Sequence, residues 1–191
     1  MSHAGWDKQR ASRRCDHGRA EISRNNARLF IALWPDPEVR KGLLAWLAAW
    51  RWTATAALVP AERLHLTLHF LGDVARARLS DLSAALSVPF ASFELAFGRA
   101  QLWDNGIAVL RPHPVPEPLE QLDARLRESL ERLGLPTEAR SFRPHVTLAR
   151  RAQGSTLPAQ GPALRWSVRG YALVESQWGR QGSHRVIQRY A

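Results

Sequence analysis

Two short stretches of the chain carry residue types suited to proton transfer at a phosphate. His65-Leu66-Thr67-Leu68 and His145-Val146-Thr147-Leu148 repeat one pattern at an interval of 80 residues. Side chains alternate along an extended strand, so each His shares a face with its Thr. The aliphatic residues between them point the other way, into a core. If the two strands lie near each other in a sheet, two imidazoles and two hydroxyls converge on one cavity. Imidazole titrates near neutrality, so one ring can accept a proton while the other supplies one. Each threonine hydroxyl can donate to a phosphoryl oxygen without adding charge. One His-x-Thr in a strand is most often structural, but two copies in the same setting are hard to ascribe to coincidence. Metal binding is the rival use for paired histidines. No Asp, Glu or Cys stands at ligand spacing to either, and Thr is a poor zinc ligand. No metal and no cofactor is expected.

The elements that must position these residues repeat as well. A strand at Arg28–Trp34 leads through Pro35 to a helix with Val39, Leu43, Leu47 and Trp50 on one face, then to the strand Leu64–Phe70. A strand at 107–111 leads through Pro112 to a helix with Leu119, Leu122, Leu126, Leu130 and Leu133, stopped by Gly134, then to the strand Pro144–Arg150. The Pro-to-His intervals are 30 and 33 residues. Asp36 is placed to cap the first helix, with Pro37 at its first position. Gly72 is expected to end the strand after His65, and Asp73 to cap a helix bearing Leu79, Leu82 and Leu86. Residues 92–103 and 107–111 read as a hairpin around Asp104-Asn105-Gly106. Residues 164–176 and 184–190 read as two further strands. A duplicated strand–helix–strand unit related by an approximate two-fold brings equivalent strands together.

Composition narrows the function classes. The chain has 191 residues, 45% hydrophobic and 23% charged, which suits a soluble globular protein. Cys15 is the single cysteine, so neither a disulfide within the chain nor a cysteine-based zinc site can form. The longest apolar run, Leu43–Trp50, is far short of the ~20 residues that cross a bilayer. The expected location is the cytoplasm, with no membrane partner. The 27 basic and 17 acidic residues give +10, of which +3 lies in residues 1–27 and +7 in 28–191. That balance favours a polyanion as partner, although nearly every basic residue is Arg, which a codon bias would also produce. Residues 1–27 lack periodicity and read as a disordered basic leader outside the fold.

With these residues assembled, the sequence resembles the two-histidine (2H) phosphoesterase superfamily. It is most similar there to the RNA 2',3'-cyclic phosphodiesterases, also called 2'-5' RNA ligases. The resemblance rests on Arg28–Leu33, His65-Leu66-Thr67-Leu68-His69-Phe70-Leu71-Gly72 and Phe142-Arg143-Pro144-His145-Val146-Thr147-Leu148-Ala149-Arg150. It spans essentially all of residues 28–191, read as a single domain. It implies an α+β, bilobal fold: two pseudo-symmetric halves with antiparallel sheets around a central cleft and helices outside. It also implies a metal-independent enzyme that hydrolyses an RNA terminal 2',3'-cyclic phosphate to a 2'-phosphomonoester, with the reverse 2'-5' joining of RNA ends; a monomer is expected. By the same resemblance His65 is the proton donor to the leaving ribose oxygen and His145 the proton acceptor that activates water. Thr67, Thr147 and Arg150 hold the phosphate. One tension accompanies the last residue. Strict alternation puts Arg150 on the opposite face from Thr147, so it reaches the cleft only if the strand twists, bulges or ends near Ala149.

Two alternative functions stand beside this reading. A small nucleotide cyclic phosphate, such as ADP-ribose 1'',2''-cyclic phosphate, presents the same strained phosphate ring. A non-catalytic RNA-binding module would use the basic charge without needing a paired acid and base. The remaining histidines are assigned blander places: His69 shares the parity of His65 but lies far along the strand, and His113 and His184 are expected at the surface. Trp34, Trp103, Trp166, Trp178 and Phe70 are candidates for stacking on a base, with core packing the commoner use of Trp.

Overall fold

The computed structural model describes residues 25–138, 141–177 and 183–191. Among them run β1 (Asn26–Leu33), α1 (Pro37–Leu47), β2 (Ala57–Leu58), β3 (Leu66–Ala75), α2 (Leu79–Ala85), β4 (Phe93–Leu102) and β5 (Ala108–Pro112). Then follow α3 (Glu117–Arg132), β6 (Val146–Arg150), β7 (Arg165–Val168), β8 (Tyr171–Gln177) and β9 (Ser183–Tyr190). β1 takes in Asn26 and Ala27, the last two residues of the segment assigned to the leader, and buries Ala27. Residues 1–24 lie outside the described residues.

The strands form one antiparallel sheet in the order β7-β4-β5-β6-β3-β1-β8-β9, with β2 pairing alongside β6. The duplication seen in the sequence is laid out in that order. β3 and β1 run outward from the centre on one side, and β6 and β5 on the other. β3 and β6 meet only at their starts, where Leu66 pairs with Val146. This is the bilobal α+β arrangement, with its halves joined as a single curled sheet.

One face of the sheet carries the helices and the main core. α1 buries Val39, Leu43 and Leu47, and its N-terminus is capped by Asp36 Oδ1, which accepts from the Val39 N–H at 2.8 Å. Trp50 lies three residues beyond the helix yet remains buried. α3 buries Leu119, Leu122, Leu126 and Leu130 and ends before Gly134, whose φ of +66° is left-handed. A smaller cluster of Phe30, Ala32, Ala172 and Val174, with Trp34 and Val186 against it, covers the opposite face of the β1 half.

Three expectations are corrected. β3 does not end at Gly72 but continues to Ala75, so Asp73 lies in the strand and caps nothing; α2 follows a 3-10 turn at Arg76–Arg78 and has no side-chain cap. Residues 164–176 are two strands, because Gly170 breaks the run and sends β7 to β4 and β8 to β1. β2 is an additional strand, and at two residues it is too short to carry a periodic signal.

β-Bulges complete the frame. Ala32 pairs with Thr67 and Ile31 with His69, so Leu68 is an extra residue on β3. Val109 pairs with Thr147 and Ala108 with Ala149, so Leu148 is the extra residue on β6. Each bulge falls directly after the His-x-Thr and shifts the alternation by one residue.

Candidate active site

His65 and His145 each stand one residue before a strand begins, at the centre of the sheet where the two halves touch. Extending the Leu66–Val146 register by one residue each way sets His65 opposite Thr147 and Thr67 opposite His145. Residues diagonal to one another across an antiparallel pair are roughly 7 Å apart, so the two imidazoles can flank one phosphate group. All four side chains line one cleft of about 1060 Å³.

The rings are held alike. His65 Nδ1 lies 2.7 Å from the Arg63 carbonyl oxygen, and His145 Nδ1 lies 2.8 Å from that of Arg143. A carbonyl only accepts, so Nδ1 carries the proton in both and donates it. Chemistry then falls to Nε2 on each ring. Both motifs reach this state by bonding two residues back along their own chain.

Their surroundings differ. Trp34 stacks on His65 with ring centroids 5.4 Å apart and planes 2° from parallel, Phe30 lies against it at 4.9 Å, and His184 meets it edge-on at 5.4 Å and 87°. Burial among these rings lowers the His65 pKa from 6.5 to about 4. The bond to the Arg63 carbonyl opposes that shift, while the charges of His184, Arg63 and His145 add to it. His65 is therefore neutral in the empty cleft at pH 7. Beside His145 lies Trp103, its ring tilted by 58° at 4.8 Å.

Arg150 lines the same cleft. The bulge at Leu148 accounts for this, by returning the position three beyond Thr147 to the face of Thr147. The equivalent bulge at Leu68 does the same for Phe70, which is exposed in the cleft with the Arg28 guanidinium 4.9 Å from its ring centroid. The two halves thus offer an arginine at one position and an aromatic ring at its counterpart. Arg63, Arg127 and Arg143 add positive charge to a cleft wall whose acidic members are Asp123 and Glu138.

The bulge also decides His69. It turns toward α3 at the edge of the cleft, where it is buried and its Nε2 donates to the Asp123 carbonyl at 3.1 Å. His113 is exposed, as expected. His184 is not a surface residue: its pairing with Ser176 across β8 and β9 carries it into the cleft against His65. Trp34 and Trp103 pack on the histidines themselves, and Trp166 is core. Trp178 lies outside the described residues. Sequence reasoning missed Phe30, Arg28 and Arg63 as cleft residues; the position of Arg28 and Phe30 on the strand paired with the first His motif was the available signal. Among the described residues, no group of three or more His, Cys, Asp or Glu is arranged to hold a metal ion, and no helix is long and apolar enough to cross a membrane.

Residues 36–177 match the sequence model of the 2'-5' RNA ligase superfamily. The chain is 33% identical over 158 residues to the RNA 2',3'-cyclic phosphodiesterase of Escherichia coli (strain K12), covering 80% of this chain and 89% of that protein. It is 32% identical over 179 residues to the protein of the same name from Thermus thermophilus, covering 86% of this chain and 89% of that one. The crystal structure of E. coli LigT in apo form superposes with a TM-score of 0.79 at 29% identity, over 87% of this chain and 98% of that one.

Proposed function

This chain belongs to the 2'-5' RNA ligase superfamily, and on that footing we propose that it hydrolyses RNA 2',3'-cyclic phosphate ends to 2'-phosphomonoesters without a metal ion. The observation that carries the reading is the paired motif: two imidazoles, each with Nδ1 held by a carbonyl, on diagonal positions of one antiparallel contact.

The cyclic phosphate sits between the two rings. His145 Nε2 takes a proton from water, whose oxygen attacks phosphorus. The P–O3' bond breaks on the opposite side, and the departing 3'-oxygen takes a proton from His65 Nε2. Thr67 and Thr147 donate to the non-bridging oxygens, and Arg150 stabilises the charge that builds on them. The ring's 2'-oxygen stays bonded, which gives the 2'-phosphate. With the 5'-hydroxyl of a second RNA in place of water, the same base and acid join two ends: the 5'-oxygen attacks phosphorus, the P–O3' bond breaks, and a 2'-5' linkage remains.

His65 needs a proton that burial withholds from it in the empty cleft. The substrate resolves this, because an anionic phosphate beside the ring favours the imidazolium. Phe70 and Arg28 offer the terminal base a stacking surface, and the RNA chain lies along the arginine-lined walls.

The test is product analysis on an oligonucleotide ending in a 2',3'-cyclic phosphate, with and without EDTA. The expected product is the 2'-phosphomonoester, at the same rate in both. A 3'-phosphate product, or loss of turnover on chelation, overturns the mechanism.

A further inference from the structure

His184 is not part of either motif, yet its ring stands as close to His65 as the stacked Trp34 does, with centroids 5.4 Å away in each case. It touches Phe30 at 5.1 Å and Trp34 at 6.1 Å, both edge-on, so the four rings form one contiguous group. Phe30 and Trp34 come from β1 and the turn after it, whereas His184 comes from β9, two strands further out in the sheet. We propose that His184 is a positioning residue for His65, the third wall of an aromatic cage that fixes the His65 ring and leaves its Nε2 edge to the phosphate. The inference rests on the reading of His65 as the proton donor, and its primary readout does not depend on turnover.

The cage solves a specific problem. The hydrogen bond to the Arg63 carbonyl sets the tautomer of His65, but a single bond at Nδ1 leaves the ring free to pivot about it. Trp34 stacks on the ring, Phe30 lies tilted against it, and His184 from β9 meets it edge-on. Burial and the charge of Arg63 lower the His184 pKa, so at neutral pH this wall is itself uncharged and suited to packing. The titratable and charged groups that face His65 are Arg63 before β3, His145 before β6 and His184 on β9; those contacting it from β1 are apolar. The cage thus gives His65 surroundings that the His-x-Thr motif alone does not encode.

The experiment compares wild type with His184→Ala and His184→Phe, using proton–nitrogen NMR of the histidine side chains and steady-state kinetics. In wild type the His65 Nδ1–H gives a protected resonance, and His65 titrates well below 6.5. His184→Ala opens the wall to water: the resonance broadens by exchange, the His65 pKa rises toward 6.5, and kcat falls at least tenfold with KM within threefold. His184→Phe rebuilds the wall and recovers most of kcat and the resonance. The proposal is overturned if His184→Ala leaves the resonance and kcat unchanged, or if His184→Phe is as impaired as His184→Ala. Far-ultraviolet circular dichroism and a melting curve on each variant separate these outcomes from misfolding. If wild type turns over no cyclic phosphate while the NMR series behaves as described, the proposed activity fails and the cage stands.

Discussion

His65 and His145 each sit in an Arg-x-His-x-Thr-Leu segment, with the same hydrogen bond to a carbonyl two residues back and different surroundings. That difference gives each an assigned task a measurable signature. kcat/KM reports ionisations of the free enzyme and kcat those of the complex. The ionisation belonging to His65 is therefore expected near 4 in the kcat/KM profile and at a higher pH in the kcat profile, since bound phosphate favours its protonated form. Equal values in the two profiles contradict the idea that substrate brings the proton to the donor. Arg150 follows a similar logic. In the proposed mechanism its guanidinium meets charge that is greatest in the transition state, so Arg150→Ala is expected to lower kcat by about 10²-fold, more than it raises KM.

At the scale of elements, much of the frame was legible in the sequence and some was not. Apolar periodicity located α1, α3 and the strands beside them, and the repeated Pro-to-His interval located the two halves. Bulges have no such signature, since one extra leucine in a strand of leucines leaves the pattern intact. They nevertheless decide how His69, Phe70 and Arg150 are turned at the cleft; only the awkward parity of Arg150 hinted at one. His184 was hidden for another reason. It comes from the last strand, and only the pairing of β8 with both β1 and β9 brings it beside His65. The outer strands also supply two stability tests. A Cβ at Gly170 would lie 2.2 Å from the Tyr190 carbonyl oxygen, backbone against backbone. Gly170→Ala should thus cost roughly 1–3 kcal/mol in a denaturant melt. Glu175 is buried on β8 and paired with Arg76 and with Arg185, the latter at 2.8 Å. Burial alone would raise its pKa, but the two guanidiniums outweigh that and hold it below 4.5. A carboxylate with a lowered folded-state pKa contributes fully above its unfolded value and loses that contribution as pH falls through the folded one. Glu175→Gln is accordingly expected to cost about 1 kcal/mol at pH 7, discounted because both arginines are well exposed, and the cost should shrink as the pH is lowered below 4.5. A cost that holds steady at acid pH contradicts the ion-pair account.

At the scale of the whole molecule, charge and cleft size bear on what the enzyme takes. The formal charge of +10 and the arginines along the cleft favour a substrate with several phosphates over a single cyclic nucleotide. With an oligonucleotide, log kcat/KM is expected to fall with log salt by ~0.7 per phosphate contacted, and more steeply than with a cyclic mononucleotide. Equal and shallow slopes would favour the small-nucleotide substrate with the same chemistry. In the proposed mechanism two imidazoles from two halves of the sheet act on one phosphorus. The most direct test is single-turnover hydrolysis of a cyclic-phosphate-ended oligonucleotide by His65→Ala and by His145→Ala. The account predicts a loss on the order of 10²–10⁴-fold in each, with the fold intact. Near-wild-type turnover by either variant contradicts it.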